Sequence, residues 1–181
     1  DPNDPFSLND NSVFHILEAK NGDVWIATWA NGICRYDETH DRFIRYTHTP
    51  GDPSTITESP ISYLFEDSSG FIWISSEVAG LDRLNPATGK IEHYLHIPDR
   101  PSLNTNSLNC VWENKQGLIM IGSNGGGINV YDPMQNSFVN HPISRNLPGN
   151  SVYGFQDDDS GAIWISTNRG LARYDPANQS T

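Results

Sequence analysis

One segment of strand-like sequence is written four times in this chain, and that repetition limits the possible folds more than any other feature. Gly22, Gly70, Gly117 and Gly161 recur at spacings of 48, 47 and 44 residues, and Trp25, Trp73, Met120 and Trp164 follow three residues after each. Gly32, Gly80, Gly127 and Gly170 come next, each followed by an aliphatic residue. Tyr36, Leu84, Tyr131 and Tyr174 then precede Asp37, Asn85, Asp132 and Asp175. A period in the forties built from short strands and glycine turns is the mark of a repeat array, most often the blades of a propeller.

Taken in order, the first copy predicts strands over 12–18, 23–28, 33–37 and 42–47, with turns through Asn21-Gly22 and Asn31-Gly32. The second predicts 61–66, 71–76, 80–85 and 90–95, the last being its outer strand. The third runs from Leu108 to His141, and the fourth from Val152 to Asp175 without an outer strand. The expected fold is all-β: a propeller fragment with blades at about 12–47, 60–96, 107–141 and 151–176, the whole of 1–181 being part of a larger propeller. The second strands (VWIAT, FIWISS, LIMIGS, AIWIST) are nearly continuous apolar or small residues, as suits a sheet covered on both faces. Outer strands such as RFIRYT and KIEHYL carry charge, which protects an edge. No long stretch shows a helical period.

Composition narrows the partners. Net charge is −11 and the sequence pI about 4.7, so nucleic acid and anionic membrane are not expected to bind. No apolar run is long enough for a membrane span, and no signal-like segment opens the chain. Cys34 and Cys110 fall on different strand types of different copies, which predicts two buried free thiols.

The pattern acid…Gly-x-x-Trp-Ile-x-Ser/Thr…Gly-Leu/Ile-x-Arg-Tyr/Leu-Asp/Asn-Pro…Phe/Ile-x-x-Tyr resembles the two-component regulator propeller repeat. It stands here as Glu18…Gly22…Trp25-Ile26-Ala27-Thr28…Gly32-Ile33…Arg35-Tyr36-Asp37…Phe43…Tyr46, and again as Asp157…Gly161…Trp164-Ile165-Ser166-Thr167…Gly170-Leu171-Ala172-Arg173-Tyr174-Asp175-Pro176. The third copy departs from it at Met120 and Asn129-Val130. The resemblance implies a periplasmic sensor region of a hybrid two-component receptor, dimeric and responsive to oligosaccharides, with membrane span, histidine kinase and DNA-binding parts outside this chain. The second copy is also similar to blades of propeller lyases that open cyclic peptide antibiotics; such an enzyme needs a general base and a metal-assisted acid, and no such set converges here. A third reading is a structural or dimerisation spacer.

Candidate sites follow from the turns. Trp25, Trp73 and Trp164, at a fixed position in apolar strands, are expected in the inter-blade core. Trp29, Glu77, Asn124 and Asn168 share the turn between second and third strands, with Asn31 and Arg169 beside them. An indole, a carboxylate, amides and a guanidinium on one rim suit a hydroxyl-rich ligand. The acidic run Asp157-Asp158-Asp159-Ser160-Gly161 reads as a hairpin turn rather than a calcium loop, because the equivalent turns lack ligands at that spacing. Asn124-Gly-Gly-Gly127 reads as a flexible turn and His15 as a structural histidine. No metal, cofactor or catalytic residue is expected. Open flanks on the terminal blades would expose apolar surface, which predicts pairing with the parent's remaining blades or with a second copy.

Overall fold

The computed structural model describes residues 3–178. Four antiparallel sheets follow one another along the chain. The first comprises β1 (Val13–Glu18), β2 (Val24–Thr28), β3 (Ile33–Asp37) and β4 (Arg42–Tyr46). The second comprises β5 (Ile61–Glu66), β6 (Ile72–Ser76), β7 (Leu81–Leu84) and β8 (Ile91–Tyr94). The third comprises β9 (Leu108–Glu113), β10 (Ile119–Ser123), β11 (Ile128–Asp132) and β12 (Ser137–Asn140). The fourth has three strands, β13 (Val152–Asp157), β14 (Ile163–Thr167) and β15 (Gly170–Tyr174). Within each sheet strand order is sequence order, and the first strands β1, β5, β9 and β13 stand side by side. The array is all-β and open, as a propeller fragment is. The one helical element among the described residues, a 3-10 turn over Pro142–Arg145 capped by the His141 ring, is absent from the sequence reading; Pro142 at its start fixes the backbone angle that a first helical turn needs.

The middle strands explain the stacking. β6 and β10 are buried along their whole length, because each has a sheet on both faces. Three apolar clusters fill the three junctions: Trp25 with Ile61, Leu64 and Ile72; Trp73 with Leu108, Val111 and Phe138; Met120 with Val152, Ile163 and Ile165. Burial of such large side chains is the main favourable term, on the order of 1.5–3 kcal/mol each.

Trp164 corrects an expectation. It is 37% exposed, against 1% for Trp25 and 0% for Trp73. The indole faces the flank on which no further sheet packs among the described residues. Cys34 and Cys110 are both buried free thiols, and burial pushes Cys110 up to about 12.

Each first strand carries a bulge at the same place, so that Phe14, Ser62, Asn109 and Tyr153 are skipped in the register with the second strand. The released side chain reaches the neighbouring sheet: the Ser62 hydroxyl donates to the Leu108 carbonyl at 2.8 Å, and the Asn109 amide to the Val152 carbonyl at 3.0 Å. At the second turns, Gly32 and Gly80 hold φ of +84° and +83°, and a Cβ on either would collide with the carbonyl oxygen of Tyr46 or Tyr94 on the outer strand. Only glycine allows the third strand to begin so close to the fourth.

The linkers are fastened as well. The Thr57 N–H donates to Asp82 at 2.6 Å and the Asn104 N–H to the Asn129 side-chain oxygen at 2.9 Å, so in the second and third sheets the second residue of the third strand holds the linker leading into its own sheet. Outer strands grip the chain leading into their own sheets as well: Arg45 donates to the Ser7 carbonyl ahead of the first sheet at 2.9 Å, and Ser137 to the Pro101 carbonyl ahead of the third at 2.9 Å. In the second sheet the grip is His93.

Candidate functional site

Trp29, Glu77, Asn124 and Asn168 occupy one position in four successive sheets. Each backbone N–H donates to the carbonyl just before its first strand, at Ser12, Pro60, Ser107 and Ser151, over 2.9–3.1 Å. The second turns are therefore built alike and open at one end of the array. Their side chains differ in what they leave available. Trp29 is 43% exposed and stacks on Phe14 with ring centroids 4.8 Å apart, which makes a broad flat apolar face. Asn124 and Asn168 are partly engaged: the Ser151 hydroxyl donates to the Asn124 oxygen at 2.9 Å, and the Ser151 N–H to the Asn168 oxygen at 3.2 Å. Asn31 donates its amide to the Asn9 carbonyl at 3.0 Å. Arg169 lines a small cavity of about 270 Å³ with Ser144, Pro148 and Asn150, to which the other five residues do not contribute. Trp29 and Asn31 belong to the first sheet and Asn168 and Arg169 to the fourth, so the six residues are spread along the rim.

A second concavity, which the sequence reading missed, lies at the opposite end. It is a groove of about 900 Å³ between the first turns of sheets two to four, lined by Ser68, Gln116, Ser160, Arg83 and Tyr131 among others. Arg83 dominates it. Its guanidinium lies 3.7 Å over the Phe71 ring, donates to the Tyr131 hydroxyl at 3.0 Å and stands 3.6 Å from Glu92. Its Nε is buried with no acceptor among the described residues. Arg35 shares the buried, unpartnered Nε, but the equivalent arginines are anchored otherwise: Arg35 pairs with Asp23 at 3.1 Å and Arg173 with Asp158 at 3.1 Å, each with the first turn of its own sheet. In the second sheet the turn carboxylate, Asp67, lies under Trp73, and Arg83 reaches to the neighbouring sheet instead. In the sequence Arg83 is one letter of the repeat, and nothing local separates it from Arg35 and Arg173.

The acidic turn takes the hairpin form. Asp158 accepts from the Ser160 N–H at 2.9 Å, the Ala162 N–H at 3.1 Å, the Trp164 indole at 3.2 Å and Arg173 Nε at 3.1 Å, as well as from the Ser160 hydroxyl. The Ser160 hydroxyl first, then these N–H groups, hold its carboxyl well below the usual carboxylate range. The donor set is that of a turn.

The His15 ring packs tilted against that of Tyr63, with centroids 4.2 Å apart and Nδ1 buried and unpartnered among the described residues, and burial lowers its pKa. It is a neutral, packed histidine. His93 is the titratable residue that sequence reasoning passed over. Its Nδ1 lies 2.7 Å from the fully buried Asp82 and its Nε2 2.8 Å from the Pro53 carbonyl. With an acceptor at each nitrogen the ring is held as the imidazolium, and the Asp82 bond raises its pKa to about 9.

The fold defines the class: stacked four-stranded antiparallel sheets of a β-propeller. Residues 7–30 and 146–169, which include the first two strands of the first and last sheets, match the model of the two-component regulator propeller family. No curated protein sequence matches the chain. Among solved structures, two named as extracellular domains of hybrid two-component systems from B. thetaiotaomicron are similar. One has a TM-score of 0.73 at 23% identity over 96% of this chain and 30% of that chain. The other has 0.78 at 22% identity over 95% of this chain and 25% of that chain. Virginiamycin B lyase from Staphylococcus aureus is similar at a TM-score of 0.62 and 18% identity, over 97% of this chain and 60% of that one. At such identities the likeness is one of fold. The chain spans between a quarter and a third of the two extracellular domains. Among the described residues no helix is long and apolar enough to cross a membrane.

Proposed function

We propose that this chain is a non-catalytic, ligand-binding part of a larger propeller in a hybrid two-component receptor, held in the periplasm and answering to an oligosaccharide. The observation that carries the reading is the family match in the first and last sheets, on a fold shared with extracellular domains of such systems. Histidine kinase activity and the membrane span belong, in this reading, to other parts of the receptor, and subunits pair through surfaces other than the sheet flanks.

The ligand site is the rim of second turns. Trp29 backed by Phe14 supplies a stacking face for a sugar ring, and Glu77, Asn31, Asn124, Asn168 and Arg169 supply hydrogen-bonding groups along the rim. Isothermal titration of the chain against a panel of neutral and acidic oligosaccharides tests this. The expected result is saturable heat with one class of sugar, lost in Trp29→Ala and kept in Arg83→Ala. The reverse pattern would move the site to the opposite groove, and silence across the panel would favour a spacer role. The fold likeness to the lyase gives an enzyme reading a separate check: metal-dependent turnover of cyclic lactones would overturn the non-catalytic assignment.

A further inference from the structure

Two of the three internal junctions are closed by the same clasp. Glu66, the last residue of β5, accepts the Lys20 N–H from the first turn of the preceding sheet at 2.6 Å. Glu113, the last residue of β9, accepts the Ser68 N–H at 2.6 Å and the Ser68 hydroxyl. A lysine in that turn position adds a second bond: Lys20 Nζ donates to the Asp67 carbonyl at 2.9 Å, and Lys115 Nζ to the Asp158 carbonyl at 3.2 Å. At the third junction the clasp residue is Asp157, one methylene shorter, and the Lys115 bond stands in its place.

The open flank of the first sheet carries the same parts. Glu18 ends β1, at the position of Glu66 and Glu113, and is exposed. Ile16 holds the position of Leu64 and Val111; it is 62% exposed, where they are 1%. In the internal junctions those two side chains pack in the clusters of Trp25 and Trp73. The flank is thus shaped for a sheet that brings an aromatic middle strand against Ile16 and a first turn against Glu18.

This chain's own last sheet matches the first requirement and fails the second. Trp164 is the aromatic, but the turn residue in the place of Lys20 and Ser68 is Asp159, exposed within Asp157-Asp158-Asp159. Seated on the first flank of a second copy, Asp159 would put a carboxylate beside Glu18 and beside the Ala19 carbonyl, which holds the position of the Asp67 and Asp158 carbonyls. Like charge there opposes docking.

We propose that Glu18 is the anchor through which the first sheet seats a further propeller sheet of the same polypeptide, one with lysine or serine in the second position of its first turn, and that Asp159 disfavours a second copy on that flank. The proposal rests on reading the chain as part of a larger propeller. Sedimentation velocity on the chain, on Asp159→Lys and on Asp159→Lys with Glu18→Gln tests it. Asp159→Lys is expected to raise end-to-end association about tenfold over the parent chain, since a repulsive pair becomes an attractive one. Glu18→Gln in that background is expected to remove most of the gain. Equal association of the parent chain and Asp159→Lys, or indifference of the variant to Glu18→Gln, would overturn the proposal. Both residues are exposed, and circular dichroism of the variants checks that the sheets are kept. Failure of the oligosaccharide titration leaves this contrast intact, and a null contrast leaves the titration intact, so the two failures are distinguishable.

Discussion

Trp73 and Trp164 each close the same seven-residue turn, Asp67-Ser-Ser-Gly-Phe-Ile-Trp73 and Asp158-Asp-Ser-Gly-Ala-Ile-Trp164. In both, the indole N–H donates to the carboxylate six residues earlier, at 2.8 Å and 3.2 Å. Yet Trp73 is wholly buried and Trp164 is 37% exposed. The turn chemistry is local and repeats faithfully, whereas burial depends on what stands against the sheet. Trp73 has Val111, Tyr131 and Phe138 of the next sheet around it; Trp164 has none. An internal junction and an open flank therefore carry the same motif with different energetic weight.

That difference can be broken open by mutation. Trp73→Ala is expected to cost about 3–5 kcal/mol, the range for deleting a large buried aromatic, read by urea denaturation. His93→Ala should come next, at about 3 kcal/mol, because it leaves the buried Asp82 carboxylate with little beyond the Thr57 N–H. The same site makes a pH prediction. The folded pKa of His93 is raised from 6.5 to about 9, so its stabilisation is complete below the ordinary histidine value and is lost as pH climbs through about 9. The stability gap between the parent chain and His93→Ala should accordingly shrink from neutral to alkaline pH; a constant gap would show that the imidazolium is not what holds the linker. Glu113→Ala removes one exposed clasp and should cost about 1 kcal/mol. Trp164→Ala is expected to be the mildest, at about 1 kcal/mol or less, because its indole already meets solvent. A loss there as large as at Trp73 would mean that the last flank is covered in solution.

Much of the strand order was legible because glycine turns and apolar middle strands are local signals. Gly32 and Gly80 punctuate the repeat for a steric reason that sequence spacing captures, and VWIAT or FIWISS states its burial without help. Trp164 was misread because its letters equal those of Trp73, and only the neighbouring sheet separates them. The acids of the repeat divide by position: Glu66 and Glu113 close junctions between sheets, while the carboxylates under the tryptophans, Asp67 and Asp158, stand one place later in the repeat. His93 was hidden because its partners, Asp82 and Pro53, lie 11 and 40 residues away. The rim residues were found as positions, but the engagement of Asn124 and Asn168 by Ser151 depends on a linker path that no local pattern encodes.

Hydrogen exchange of the tryptophan indole protons, followed by nuclear magnetic resonance, tests the stacking of sheets most directly. Trp25 and Trp73 should exchange only with opening of their junctions, and Trp164 should exchange much faster although it makes the same indole–carboxylate bond as Trp73. Equal protection of Trp73 and Trp164, or rapid exchange at Trp73, would contradict the account.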